Sequence, residues 1–332
     1  DSPEGQTPAQ RAAELKAQAD GLARRGKAAE AAQHYRDALE LRPDYFEVHA
    51  NLGNLLLAMG RVDEALAHYR EAVVLSPDIA ALHDNLGNAL RISGEAASAV
   101  PHHEQALRLQ PRLPAAHVNI GNALLDLGRP DGAIESFEQA LQLAPEKPEV
   151  HCALGNARQE LAQLESALAH YREAARLRPG FIEAVVGEFN ILMKLGDREG
   201  ARRHMQPHAG LRGKDSWITL AFSRLAENDH ERQDSLAELK GVLGRGIANN
   251  DELGKVYFRL GDLCDALHSH AEAFEYYRQA NELRPRDFRR DRYREYIDQL
   301  LAAFSRDRIP SLPRTGNDTQ LPVFIVGMPR SG

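Results

Sequence analysis

The residues best suited to chemistry stand together in Gly327-Met328-Pro329-Arg330-Ser331-Gly332, directly after Val323-Phe324-Ile325-Val326. An apolar, mostly β-branched run of this length reads as a buried parallel strand. A glycine-rich turn after such a strand offers backbone N–H groups to an anion, and the N-terminus of a following helix completes the cradle. Arg330 adds a fixed positive charge and Ser331 a hydroxyl. The chemistry this set supports is the grip on a phosphoryl or sulfuryl group. The closing helix would have to follow Gly332, so the expectation is a truncated, catalytically incompetent site.

Two further series invite a functional reading. Asparagines recur as Asn51 and Asn54, Asn85 and Asn88, Asn119 and Asn122, then Asn156. A spacing of three puts each pair on one helix face, opposite the Leu-Gly pairs described below. An amide donates and accepts, which suits the backbone of an extended peptide; the competing use is bonding to neighbouring repeats or turns. Histidines recur as His49, His83, His117 and His151. Successive members would sit a helix-packing distance apart, ~10 Å, whereas zinc gathers ligands at ~2 Å. These histidines are therefore expected to pack between repeats, and no metal site is expected. His102-His103, His268 and His270 lack convincing Cys or carboxylate partners.

A fixed period positions these groups. Pro43, Pro77, Pro111, Pro145 and Pro179 are each separated by 34 residues. Alanine precedes each by twelve positions (Ala31, Ala65, Ala99, Ala133, Ala167) and by five (Ala38, Ala72, Ala106, Ala140, Ala174). A ring lies between: Tyr35, Tyr69, His103, Phe137, Tyr171. Upstream recur Leu52-Gly53, Leu86-Gly87, Ile120-Gly121 and Leu154-Gly155. Small residues let two antiparallel helices approach, and the ring fills the space that remains. Gly26, Gly60, Gly94, Gly128 and Gly196 fit a turn between two helices, and proline fits just past the second helix. Each unit reads as helix A, glycine turn, helix B, proline turn. A unit this short buries its apolar face only against neighbours.

This pattern resembles the tetratricopeptide repeat, clearly over 12–181 and again over 254–287, where Tyr257, Leu260-Gly261, Ala273, Tyr277, Ala280 and Pro285 keep phase. The resemblance implies an all-α, right-handed superhelix of helix–turn–helix repeats. A disordered leader is expected over 1–11 and the superhelix over 12–287, eroded at 182–253. A basic capping helix follows at 288–305 and a linker at 306–320. The first strand and phosphate loop of a truncated α/β domain close the chain at 321–332. Pro101 departs from the pattern but falls early in a helix B.

The terminal segment resembles the 5′-phosphosulfate-binding motif of sulfotransferases, through Pro329-Arg330-Ser331-Gly332. The layout is similar to bacterial sulfotransferases that carry tetratricopeptide repeats ahead of the catalytic domain. That resemblance implies 3′-phosphoadenosine 5′-phosphosulfate as cofactor, bound through Gly327, Pro329, Arg330, Ser331 and Gly332. It also implies that Arg330 offsets charge as the sulfuryl group leaves, with the acceptor held in the repeat groove. Asparagine ladders occur similarly in O-linked N-acetylglucosamine transferases, where they hold peptide backbone. Two alternatives stand: a non-enzymatic adaptor, and the arm of a nucleotide triphosphatase, since Gly327 to Gly332 also fits G-x-x-x-x-G.

Composition narrows the partners. The 332 residues carry a formal charge of −7, so bulk electrostatics give no reason to expect nucleic acid. No apolar run approaches the ~20 residues of a membrane helix. The start, DSPEGQTPAQ, lacks the features of a signal peptide. Cys152 and Cys264 fall in different repeats and read as small buried hydrophobes. A cytoplasmic setting and a peptide or protein partner are the simplest expectations.

Overall fold

The computed structural model describes residues 7–283. The expected basic helix, linker, strand and phosphate loop, with Gly327, Pro329, Arg330, Ser331 and Gly332, lie outside the described residues.

Among the described residues, sixteen α-helices run in chain order as eight antiparallel hairpins. The first five are regular: α1 (Pro8–Arg24) with α2 (Ala28–Leu41), α3 (Phe46–Ala58) with α4 (Val62–Leu75), α5 (Ala80–Ile92) with α6 (Ala96–Leu109), α7 (Pro114–Asp126) with α8 (Pro130–Leu143), and α9 (Pro148–Glu160) with α10 (Leu164–Leu177). The sixth pairs α11 (Ile182–Lys194) with a short α12 (Arg198–Met205), which passes into a 3₁₀ turn at Gln206–Leu211. The last two are α13 (Ser216–Ser223) with α14 (Asp229–Gly244), and α15 (Asn250–Ala266) with α16 (His270–Glu282). No strand occurs among the described residues.

The periodic residues build this stack as their sizes dictate. The ten phase-locked alanines are all buried. Phe137 shows the close approach: a Cβ on Gly121 would lie 2.4 Å from the Phe137 ring. Tyr69, Tyr171 and Tyr277 lie against Gly53, Gly155 and Gly261 in the same way. Buried aliphatic residues such as Leu52, Leu56 and Leu154 fill the hairpin interiors.

Successive A helices pack on one another from α3 through α15, whereas no successive B helices do so to the same extent. Helices crowd on the inside of a curved stack and spread on the outside. The A helices therefore line the concave face.

Four features depart from the sequence expectation. The first helix starts at Pro8, inside the expected leader, because Thr7 and Gln10 form a reciprocal capping box. Pro101 is the sixth residue of α6, past the first turn, so the helix forgoes one internal amide bond. In the seventh hairpin the spacing predicts Trp217, Leu220 and Leu225 facing one way, but Leu225 joins one buried cluster while Leu220 joins Leu236, Leu239 and Leu243 in another. Trp217 is only half-buried and faces the groove rather than a core.

The fourth departure concerns the A–B turns. Gly60 and Gly128 adopt φ of +75° and +68° there, a region glycine enters without steric cost. The equivalent positions in the fifth and eighth hairpins are Ala162 (φ 56°) and His268 (φ 61°). The helices on either side hold both residues in a conformation that opposes their Cβ. Ala162→Gly is expected to stabilise the protein by about 1 kcal/mol, read as a higher urea midpoint with an unchanged slope.

Candidate functional site

The asparagines divide into two groups on the inner face. The first group is engaged. The Asn51 amide donates to Asp20 Oδ1 (3.2 Å), and the Asn119 amide donates to both Asp84 carboxylate oxygens (3.1 and 3.2 Å). Both bonds tie one repeat to the preceding one. Asn54 Oδ1 accepts the Tyr69 hydroxyl, and Asn156 Oδ1 accepts the Tyr171 hydroxyl, each at 2.6 Å. The second group, Asn85, Asn88 and Asn122, is half-buried, and its side-chain amides hydrogen-bond to none of the described residues.

The ring of each repeat explains part of this division. Where that ring is tyrosine, its hydroxyl reaches the second asparagine of the pair. In the fourth hairpin it is Phe137, which has no hydroxyl, so Asn122 is left open. In the third it is His103, whose Nδ1 turns instead to Asp84 Oδ1 at 2.7 Å, leaving Asn88 open. His103 is fully buried, and its Nε2 finds no partner. Tyr35 and Asp20 repeat the tyrosine arrangement at the N-terminal end, at 2.5 Å. Burial works to raise the Asp20 pKa, but bonds from Lys16, Tyr35 and Asn51 hold it below the usual carboxylate value. Burial, then the Asp20 carboxylate, raises the Tyr35 pKa.

Three members of the histidine series, His49, His83 and His151, pack within repeats rather than between them; His117 faces no such partner, because position 136 is serine. His49 Nδ1 lies 3.0 Å from His68 Nδ1, His83 Nδ1 is 3.3 Å from His102 Nδ1, and His151 Nδ1 is 3.2 Å from His170 Nδ1. The other nitrogen of each A-helix histidine faces a proline carbonyl: Pro43, Pro77 or Pro145. A carbonyl only accepts, so Nε2 of His49, His83 and His151 carries the proton. In the neutral pair, Nδ1 of these residues then accepts from the B-helix partner. Burial and the neighbouring histidine depress the pKa of His68 and His102, and of His170 to about 4. Tyr257 and Tyr276 stack at the same positions in the last hairpin, 6.2 Å between centroids. Among the described residues, no three His, Cys, Asp or Glu side chains gather as a metal site.

Cys152 and Cys264 are buried and unbridged. Burial pushes the Cys152 thiol up to about 12 and raises Cys264 as well, so neither is a ready nucleophile.

Open cavities lie along the asparagine side. One, of about 510 Å³, is lined by Asp20, Arg24, Tyr35, Asn51 and Asn54. A second, of about 560 Å³, is lined by Asn156, Tyr171, Asn190 and Trp217 among others. A third, of about 370 Å³, shares Val186, Asn190, Trp217 and Lys255 with the second and extends to Arg224 and Arg259. The aromatic and arginine residues of this last region belong to no sequence series. Only their helical spacing, as in Trp217, Ala221 and Arg224, could have marked them as one face.

Comparison with known proteins agrees with this architecture. A family model described as tetratricopeptide repeat matches residues 22–85. A second model of that description matches 148–181 and 254–287, and one described as TPR repeat matches 121–162. No curated protein sequence matches the chain. Among solved structures, a tetratricopeptide repeat protein from Parabacteroides merdae superposes with a TM-score of 0.64 at 14% identity, covering 76% of this chain and 99% of that one. PilW, titled a type IV pilus biogenesis factor, gives 0.56 at 20% identity over 62% of this chain and 94% of its own. The pilF protein of Pseudomonas aeruginosa gives 0.53 at 21% identity over 70% and 100%. Likeness at these identities concerns the fold alone. No helix among the described residues is long and apolar enough to cross a membrane. The described part of the chain is an all-helical solenoid of tetratricopeptide-like repeats.

Proposed function

We propose that the chain is a scaffold whose concave A-helix face binds an extended segment of a peptide or protein partner. The observation that carries this reading is the set of open amides at Asn85, Asn88 and Asn122 on neighbouring repeats of that face. Each amide can donate to a peptide carbonyl and accept from a peptide N–H, which recognises backbone with little regard to side chain. Asn119 lies among them with its amide nitrogen committed to Asp84, so its carbonyl oxygen is the part left for a ligand. Asn51, Asn54 and Asn156 extend the same strip toward the flanking cavities.

The test uses the tightest 12-residue peptide selected from a random library on the purified protein. Simultaneous Asn85→Ala, Asn88→Ala and Asn122→Ala is expected to weaken its binding at least tenfold by fluorescence anisotropy, while the urea midpoint stays put. These amides hold nothing else in place, so stability gives the control. Unchanged affinity would overturn the reading.

The motif Pro329-Arg330-Ser331-Gly332 favours a finer version. Here the groove presents an acceptor to a following sulfotransferase domain. Gly327, Pro329, Arg330, Ser331 and Gly332 would bind 3′-phosphoadenosine 5′-phosphosulfate, with Arg330 at the leaving group. What supports it is the residue pattern and its position after a repeat array. The residue following Gly332 in the gene discriminates. Threonine or serine agrees with the sulfotransferase, and lysine favours a nucleotide triphosphatase. A non-enzymatic adaptor would use the same groove.

A further inference from the structure

The cavity of about 370 Å³ is built from one face each of three consecutive A helices. Val186 and Asn190 come from α11, Trp217 and Arg224 from α13, and Phe258 and Arg259 from α15. The wall is part aromatic and part cationic. Lys255 Nζ lies 4.7 Å from the Trp217 ring centroid, and the Arg224 guanidinium lies 5.2 Å from that of Phe189.

Its charges are incompletely answered. Arg224 donates to Asn190 Oδ1 and has no carboxylate at ion-pair distance among the described residues. Arg259 spends Nε on Ser223 Oγ (2.9 Å) and Nη2 on the Ser223 carbonyl (2.5 Å). Its nearest carboxylate is Asp262, at 3.8 Å from Nη1, and Asp262 also accepts the Tyr277 hydroxyl at 3.0 Å. Lys255 pairs with Asp251, outside the cavity wall. Loss of hydration lowers the pKa of both arginines; at Arg259 the Asp262 carboxylate opposes this, and the weaker influence of Arg224 adds to it. Arg224 is exposed at the mouth of the cavity and Arg259 half-buried on its wall; two like charges there, with Asp262 reaching Arg259 alone at 3.8 Å, favour an incoming anion.

The geometry points to this cavity as the specificity site of the groove: it takes an acidic side chain of the bound peptide at Arg224 and Arg259, with an adjacent apolar side chain against Trp217 and Phe258. This rests on the peptide-binding reading and adds the residue class that the open asparagines do not discriminate. An arginine pair recognises a carboxylate through parallel N–H donors, and the aromatic walls give the neighbouring side chain an apolar seat.

Trp217 is the single tryptophan of the chain, so its fluorescence reports this cavity directly. The probe is an octapeptide of alternating Glu and Leu, compared with its Gln-Leu counterpart and with inorganic phosphate. Saturable change in Trp217 emission is expected with the Glu-Leu peptide, at least tenfold weaker binding with the Gln-Leu peptide, and none with millimolar phosphate. Arg224→Gln and Arg259→Gln should each weaken the Glu-Leu response about tenfold, and Arg224→Lys should restore part of it. Circular dichroism of the variants checks that the eighth hairpin remains folded. Equal binding of both peptides, or an equal response to phosphate alone, would overturn the assignment. The open-amide triple variant separates the two readings. If the cavity acts by itself, that variant keeps the Glu-Leu response at Trp217 even where long peptides have lost affinity.

Discussion

Truncating Tyr171 to alanine is expected to destabilise the protein by about 3–5 kcal/mol and to split its unfolding into two transitions. Tyr171 is 2% exposed and is held from both sides by backbone. A Cβ on Gly155 would lie 2.8 Å from its ring, and one on Gly187, in the next repeat, 2.3 Å. Its hydroxyl donates to Asn156. The ring thus fastens the fifth hairpin internally and the fifth to the sixth. In a repeat stack each unit is stabilised mainly by its neighbours, so one interface couples everything on either side. Removing the ring leaves residues 8–177 and 182–283 to unfold on their own terms. Circular dichroism follows both blocks, whereas Trp217 emission follows only the second. The two probes are expected to separate in urea for Tyr171→Ala and to coincide for the parent chain. Gly187→Ala approaches the same interface by overfilling and should cost about 1–3 kcal/mol. A loss below 1 kcal/mol for Tyr171→Ala, with coincident probes, would show that the coupling runs elsewhere.

The period made most of this fold readable. Prolines, alanines and rings at fixed intervals are packing requirements, and a packing requirement repeated five times leaves few alternatives. The glycine turns were readable for the same reason, but Ala162 and His268 were not. Their positive φ is imposed by the helices around them, against the preference of the residue. The asparagine series marked one face of the A helices, yet could not tell open amides from engaged ones. For the second asparagine of each pair that difference depends on whether a ring 15 positions later carries a hydroxyl, as Tyr69 does for Asn54 and Phe137 does not for Asn122; for the first it depends on a carboxylate of the preceding repeat, Asp20 for Asn51 and Asp84 for Asn119. The histidines held a legible signal that a period of 34 concealed. His49 and His68, His83 and His102, and His151 and His170 each stand 19 apart, the distance that brings facing positions of helices A and B together. The arginine and tryptophan cavity follows no period, because it forms where the repeats have diverged.

Those histidine pairs make the stack sensitive to mild acid. His68, His102 and His170 have folded-state pKa values below the ordinary 6.5, through burial first and the facing histidine second. In the unfolded chain they protonate near 6.5, so between that value and the folded one, about 4 for His170, the unfolded state binds more protons. Stability is then fully present above pH 6.5 and falls as pH drops toward 4. All three groups are partly open to solvent, which limits the contribution of His170 to on the order of 1 kcal/mol; His68 and His102 act in the same direction. The Pro43, Pro77 and Pro145 carbonyls fix the proton on Nε2 of His49, His83 and His151, so an added proton goes to Nε2 of His68, His102 or His170, where burial and the facing histidine oppose it. The charged neighbours do not cancel this: Arg36 disfavours protonation at His68 while Glu64 favours it more weakly, Arg70 and His103 disfavour it at His102, and Arg158 does so at His170. The window from pH 6.5 to 5 lies above the normal carboxylate range, which isolates the histidines. Urea midpoints across that window are expected to fall in the parent chain. They should fall less steeply in the triple variant His68→Asn, His102→Asn, His170→Asn, whose amides can still donate to His49, His83 and His151 and in which burial still lowers the pKa of His117 and His208. An equal slope in both proteins would mean that the pairs take up protons in the folded stack as readily as in the unfolded chain.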